Sequence, residues 1–390
     1  MPGEIKLNKF EERRLHSGHQ WVFSNEISEI TGTPDTGDIV NIFSAGGAFI
    51  ASGFYNKNSL IGCRVISYTP VKDLKELFST KLHAAFNLRT SCYPHRNSFR
   101  MVFSESDFLP GLIIDKYNNT FVLQINSAGT DKHLEIISSL LVSEFNADCV
   151  VTKNEPYFRS LEGLDENDRV LHGNLKSQII DDGVAKYKID FAEGQKTGFY
   201  FDQCDNREFA SKFCNSTSVL DGFCNSGGFG LHALLKGASK VDFVDSSAAE
   251  IEKVKQNIKL NGIVTACGLN VSDVADFLSE KAKTGYKYGV VMIDPPAFAK
   301  QKKNLNQAKQ GYLRLNKLAL RCVEKNGFLV SSSCSYHLPQ KEFLEIVNDA
   351  AIKEGCSLQL IKYNGASLDH PSLPAMQETT YLKFAVFKVL

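Results

Sequence analysis

The stretch Ser218-Val219-Leu220-Asp221-Gly222-Phe223-Cys224-Asn225-Ser226-Gly227-Gly228-Phe229-Gly230 decides how the rest of the chain is read. A short apolar run ends in an acid, passes through a turn holding Gly222, Gly227 and Gly228, and resumes as an apolar segment. Glycine tolerates positive φ and lets a ligand approach the backbone closely. The stretch therefore reads as a strand, a glycine loop and a helix. A second strand, 240–244, ends in Asp245, 24 residues after Asp221, where a carboxylate can accept both hydroxyls of a ribose. A glycine turn that merely packs its helix is the plainer alternative.

The loop lacks the GxGxxG pattern of dinucleotide sites, and an acid at the strand end repels a pyrophosphate. It suits a cationic ligand instead. S-adenosylmethionine, with a sulfonium and an ammonium, fits better than a nicotinamide dinucleotide.

Outward from the loop, strands and helices alternate. Strands are expected at 240–244, 265–269, 288–293 and 327–332, and helices after Gly228, at 248–260, 273–282, near 311–324 and at 340–353. Such alternation predicts an α/β fold, a parallel sheet with helices on both faces. The last strands, 358–363 and 381–389, are joined by a loop. Asp273, after the third strand, either accepts from an adenine amino group or caps the helix that follows. The fourth strand ends in Asp294-Pro295-Pro296-Ala297-Phe298, where two prolines present Asp294 rigidly.

The fifth strand runs into Ser333-Cys334-Ser335, with His337 beyond. A thiol at that edge has a chemical use. Carbon 5 of cytosine is a poor nucleophile, and thiolate addition to carbon 6 makes it enamine-like. The base must leave its stack to be reached. Cys334 and Asp294 are thus the candidate catalytic residues, with Asp294 near ring nitrogen 3. A lone strand-end cysteine is often inert, and His337 reads most simply as a loop residue.

Of the 390 residues, 43% are hydrophobic and 23% charged, an ordinary globular balance that disfavours disorder and fibrous classes. Lys+Arg and Asp+Glu are 44 each, so a nucleic-acid partner can be argued only from a local patch. One exists after the double proline: Lys300, Lys302, Lys303, Lys309, Arg314, Lys317, Arg321 and Lys325 stand against Glu324 alone. It reads either as a phosphate-binding surface or as a solvated helix face, with Tyr312 as a stacking group in the first case. The ten cysteines show no CxxC pair and no metal-ligand spacing, so no metal site is expected. The start, Met1-Pro2-Gly3-Glu4, is not that of a signal peptide, and no run nears the roughly 18 apolar residues of a membrane helix. A soluble, cytoplasmic protein without membrane contact is expected.

Three parts are expected. Residues 1–70 hold short strand-like runs and form a β-rich module. Residues 71–183 mix a helix at 72–88, strands at 99–103, 112–117 and 120–126, a helix near 132–145 and a strand at 149–153, an α+β pattern. Residues 184–390 open with a hairpin-like stretch at 184–191 and carry the α/β part.

The chain resembles the 23S ribosomal RNA 5-methylcytosine methyltransferases that carry an N-terminal PUA domain. The likeness runs through His19 to Asn25, Ser106 to Asp115, Arg159 to Leu164, the segment Gly194 to Gln203 with Asn206-Arg207, Asp221 to Gly228, Asp294-Pro295-Pro296, Ser333-Cys334-Ser335, Asp369-His370-Pro371 and Tyr381-Leu382-Lys383. It implies a class I (Rossmann-like) methyltransferase domain behind a PUA domain and a central domain. It also implies S-adenosylmethionine as donor, Cys334 as nucleophile, and a cytosine of large-subunit rRNA as acceptor. The cofactor residues it implies are Lys196, Thr197, Phe199, Asp202, Asp221, Phe223, Asn225, Gly227, Gly228, Asp245, Ser246, Asp273 and Asp294. RNA would be the partner, and members of the family often dimerise. Two departures stand out. Ala297 follows the proline pair where another cytosine-5 family has a second cysteine, and Cys204 stands where an arginine is expected. A guanine-directed methyltransferase and a non-catalytic RNA-binding assembly factor are the competing readings.

Overall fold

The computed structural model describes residues 3–191, 198–299 and 301–390. The chain divides into two compact units: Met1–Ile180 with Ile189–Phe201 and Leu368–Thr379, and Asp181–Lys188 with Asp202–Ser367 and Thr380–Leu390.

The first unit opens with strands β1 (Gly3–Leu7), β2 (Trp21–Phe23), β3 (Ile27–Thr31), β4 (Ile39–Phe43), β5 (Phe49–Tyr55) and β6 (Ile61–Ser67), and a short helix α1 (Glu12–His16). They form one sheet in the order β2-β6-β5-β4-β1-β3. The expected runs became β2, β4, β5 and β6. Sequence reading missed β1 and β3. β3 is an edge strand whose Ser28 to Thr31 are exposed, so it shows no apolar alternation.

Helix α2 (Leu74–Cys92) starts where Asp73 caps it, its carboxylate accepting from Lys75 N at 2.8 Å and Glu76 N at 3.1 Å. Strands β7 (Ser98–Phe103), β8 (Leu112–Tyr117) and β9 (Thr120–Ile125) follow, then α3 (Ala128–Lys132), α4 (Leu134–Phe145), β10 (Cys149–Thr152), α5 (Pro156–Leu161) and β11 (Val170–Gly173). The strands order as β11-β10-β9-β8-β7, with Phe78 and Leu82 of α2 and Ile137 and Leu141 of α4 in the core beside them. Arg64 of β6 is held by Glu105 at 2.8 Å and Glu162 at 2.9 Å, and Trp21 Nε1 donates to the same Glu105 at 2.8 Å. This buried cluster ties the six-stranded sheet to the elements that follow it.

Two short strands, β12 (Gln178–Asp181) and β13 (Lys186–Ile189), pair with each other; the hairpin expected over 184–191 starts earlier, and only β13 falls within that stretch.

The second unit contains α6 (Cys204–Ser211), β14 (Ser218–Gly222), α7 (Gly228–Leu235), β15 (Lys240–Asp245), α8 (Ala248–Leu260), β16 (Cys267–Val271), α9 (Val274–Thr284), β17 (Tyr288–Ile293), α10 (Leu305–Arg321), β18 (Val323–Ser333), α11 (Gln340–Lys353), β19 (Leu358–Asn364) and β20 (Lys383–Val389). Its sheet runs β16-β15-β14-β17-β18-β20-β19. The first five strands are parallel, and β20 inserts antiparallel to both β18 and β19. This is a Rossmann-like α/β fold. Alternate residues along each strand feed opposite cores. Leu220, Val291 and Leu329 pack with α9, α10 and α11, while Val219, Val290 and Val330 pack with α6, α7 and α8.

Helices α8 and α11 and strand β17 fall where the sequence put them. Helix α10 starts at Leu305 rather than near 311, because its polar first turns hide the apolar period. No helix among the described residues is long and apolar enough to cross a membrane.

Candidate functional site

Strand order reverses between β14 and β17, and in open α/β sheets ligands bind at the carboxyl ends of strands at such a switch point. β14 ends with Asp221-Gly222, and β17 runs into Asp294, whose N–H donates to Gly222 O at 3.4 Å.

Asp221 is 1% exposed, and its Oδ2 accepts the Gly230 N–H at 2.7 Å, in the first turn of α7. Lost hydration pushes its carboxyl up to about 7, with the charges of Asp294 and Asp245 adding to the rise. The Gly230 N–H and the Arg207 guanidinium pull the other way. Asp294 is likewise pushed up to about 7, first by burial and then by the charge of Asp202. Arg207 and the side chains of Gln203 and Ser332 oppose that rise.

The loop between β14 and α7 is held in a special backbone form. Phe223 and Asn225 have φ of 61° and 48°, a conformation non-glycine residues rarely adopt. Asp245 locks it: one carboxylate oxygen accepts from Asn225 N at 3.0 Å and the other from Ser247 N at 2.9 Å. Each oxygen retains a further lone pair for a ligand hydroxyl. Gly227, with φ of 88°, is the N-cap of α7. A Cβ on Gly228 would overlap the Arg207 guanidinium, so an alanine cannot be accommodated without moving that buried cation.

Cys334 follows β18 and is partly exposed, unlike Cys204, Cys214 and Cys224. Its Sγ lies 3.9 Å from Pro295 O, against the loop that carries Asp294. The flanking serines are buried anchors. Ser333 Oγ donates to the Tyr312 hydroxyl at 2.9 Å, Ser335 Oγ lies 2.9 Å from the same hydroxyl, and Ala299 N donates to Ser335 Oγ at 3.2 Å. The two serines thus pin the cysteine loop to α10 and to the chain after the double proline.

The structure brings Asp202, Asp221, Phe223, Asn225, Gly227, Gly228, Asp245, Asp294 and Cys334 to one edge of the seven-stranded sheet. Asp202 Oδ2 accepts from the Tyr381 hydroxyl. Ser246 is exposed just past β15. Asp273 is the N-cap of α9, its Oδ1 accepting from Ala275 N at 2.8 Å and Asp276 N at 3.1 Å, so capping is the role its contacts display. Phe199 is buried beside Phe201, in the first unit, with ring centroids 5.1 Å apart. Lys196 and Thr197 lie outside the described residues. His337 packs edge-on against Tyr336. Cys204 is buried with its sulfur 3.9 Å from Arg207 Nη1.

Two expectations about RNA contacts need correction. Tyr312 is fully buried, so it offers no face for a base to stack on. The basic stretch is also partly neutralised: Lys309 pairs with Glu342 at 2.7 Å, and Lys317 and Arg321 both pair with Glu354, at 3.4 and 2.7 Å. The acids come from α11 and its end, far enough along the chain that local charge counting misses them. Among the described residues no cluster suited to a metal ion occurs.

Sequence reasoning gave no role to Arg207, Gln203 or Lys383. Arg207 sits in α6, where a charged residue carries no local sign of burial, yet it is 6% exposed. Gln203 and Ser332 are buried, and their side chains hydrogen-bond to the Asp294 carboxyl and hold its rise in check. An acidic floor and a loop whose glycines admit no side chain suit a ligand with positive charge. S-adenosylmethionine fits that description.

The PUA-like domain family matches residues 5–68, and the family described as conserved hypothetical protein 95 matches residues 198–342. A methyltransferase crystallised with SAH superposes with a TM-score of 0.84 at 18% identity, covering 99% of both chains. A SAM-dependent methyltransferase from Streptococcus mutans gives 0.82 at 18% identity, again over 99% of both. These likenesses concern the fold. In sequence, the chain is 35% identical over 398 residues to the ribosomal RNA large subunit methyltransferase I of Vibrio cholerae serotype O1, 36% over 399 residues to that of Vibrio vulnificus, and 35% over 395 residues to that of Aeromonas hydrophila subsp. hydrophila, each covering 100% of both chains. With relatives this similar from end to end, and with the glycine loop and both strand-end groups built as described, the chain belongs to the ribosomal RNA large subunit methyltransferase I family.

Proposed function

We propose that this protein is an S-adenosylmethionine-dependent methyltransferase that forms 5-methylcytosine in large-subunit rRNA through a covalent adduct on Cys334. The observation that carries the reading is the 3.9 Å contact of Cys334 Sγ with Pro295 O, which sets a partly exposed thiol against the Asp294 loop. Family membership supports the rRNA substrate class.

In this reading the Asp221–Gly228 loop, Asp202, Asp245, Ser246, Asp273 and Asp294 hold the cofactor; Lys196, Thr197 and Phe199 are cofactor residues on the family resemblance alone. When bound, S-adenosylmethionine supplies a methyl group on a positively charged sulfur. The protein's part is to make cytosine carbon 5 nucleophilic. The Cys334 thiolate adds to carbon 6, forming an S–C bond and moving the ring π electrons toward carbon 5 and nitrogen 3. Asp294, pushed up to about 7, is substantially protonated at neutral pH and can donate to nitrogen 3. After methylation, loss of the carbon 5 proton returns the ring electrons and expels the thiolate. Ala297 offers no proton acceptor, so water or another group takes that proton. Residues 1–70 serve as the RNA-binding module, 71–183 as the central domain and 184–390 as the transferase. The PUA-like match supports the first of these.

The test uses rRNA from cells lacking the protein, methylated in vitro and mapped. A 5-methylcytosine formed by wild type and lost by more than about 10³-fold in Cys334→Ala, with cofactor binding retained, is the expected result. Undiminished 5-methylcytosine formation by Cys334→Ala overturns the covalent step, and a methylated guanine overturns the base assignment.

A further inference from the structure

Lys383 is a buried cation whose partners do not account for it. It begins β20 and is 4% exposed. Taking an ammonium out of water is costly unless something compensates. Its Nζ donates to two neutral oxygens, Ser335 O at 2.5 Å and Tyr381 O at 2.6 Å. Loss of hydration pushes it down to about 8, and the one charge opposing that fall is Cys334.

The geometry around it is specific. β18 and β20 pair antiparallel with Ser333 opposite Lys383. The side chain then reaches past Cys334 to the carbonyl of Ser335. The backbone on both sides of the cysteine is thereby tied to β20, once by the sheet and once by the ammonium. Among the described residues, the titratable groups near the sulfur include Lys383 from β20, Tyr312 from α10, and Asp294, one residue before the Pro295 that the sulfur touches. Of these three, the lysine is the cation.

We propose that Lys383 is the positioning residue for Cys334: it fixes the loop after β18 through Ser335 O and lends the sulfur a buried positive charge that favours the thiolate. This deepens the reading of Cys334 as nucleophile and rests on it. A positive charge near an acid favours its ionised form, and the ammonium is held at the carbonyl of the residue that follows Cys334.

The test is the pH dependence of iodoacetamide alkylation at Cys334, read by mass spectrometry of its peptide in the full-length protein. Wild type, Lys383→Met and Lys383→Arg are compared. Lys383→Met is expected to raise the alkylation midpoint by at least about one pH unit, slowing alkylation about tenfold at pH 7. Lys383→Arg, which keeps the charge, is expected to hold the midpoint near wild type; loss of the wild-type midpoint in this variant too counts against a charge effect. An unchanged midpoint in folded Lys383→Met overturns the proposal. If Lys383→Met does not fold, the wild-type protein decides: a Cys334 midpoint at or above the ordinary thiol value overturns it equally. This readout does not depend on methyl transfer, so it stands apart from the Cys334→Ala test of the reaction.

Discussion

Asp221 and Gly230 are joined by a 2.7 Å hydrogen bond that anchors the first turn of α7 to the end of β14. The acceptor is a carboxylate that burial disfavours. Below about pH 4 the group is neutral in folded and unfolded chains alike. From there to about pH 7 the unfolded chain releases the proton while the folded one keeps it, so stability falls as pH rises. Above pH 7 the full cost is present, on the order of 4 kcal/mol. Asp221→Asn keeps an acceptor for Gly230 and removes that cost. It is expected to raise the Tm at pH 8 by several degrees, with the gain vanishing near pH 4, while cofactor affinity falls at least about tenfold. Thermal melts across pH, with calorimetry of S-adenosylmethionine binding, check both halves.

Asp245 acts on the loop rather than only on a ligand. With its two oxygens on Asn225 N and Ser247 N, removal frees the glycine loop and the start of α8 together. Asp245→Ala is expected to weaken S-adenosylmethionine binding by about 10–100-fold. Asp245→Asn, which keeps one acceptor, falls between that variant and wild type in a titration.

The Tyr312 hydroxyl serves two buried serines at 2.9 Å each. Tyr312→Phe leaves the ring packing against Phe298, 4.6 Å away, and removes only the oxygen. The expected stability loss is about 1–3 kcal/mol. Because those serines flank Cys334, kcat is expected to drop about 10–100-fold with little change in KM. Equal methylation kinetics in the two proteins would remove Tyr312 from any positioning role.

In the first unit, Arg64 is the cation between Glu105 and Glu162, and all three are largely shielded from water. Arg64→Met strands two acids. Its expected cost is about 3–5 kcal/mol, because breaking a buried ion pair from one side leaves the other charge uncompensated. Hydrogen exchange should report it as faster exchange in β2, β6 and the Ser104–Asp107 turn, with β14 to β20 unaffected.

Much of the fold was legible locally. Val219-Leu220 followed by glycines, the apolar run before Asp294-Pro295, and the 3.6-residue period over 248–260 each carry their own signal, and the elements appear there. Elements with no apolar face of their own, such as β3 and the first turns of α10, escaped because pairing and packing define them.

The placement of Asp221, Asp245, Asp294 and Cys334 at strand ends was readable from residue type and spacing, since a parallel sheet brings the carboxyl ends of its strands to one edge whatever else the chain does. Which partners those groups have was not readable. Arg207 beside Asp221, Tyr312 between Ser333 and Ser335, Glu342 and Glu354 on the basic helix, and Lys383 over Ser335 are all pairs distant in the chain. Order along the backbone carries local propensity and periodicity; burial, charge pairing and the protonation state of a carboxyl arise only when remote segments exclude water from the same place.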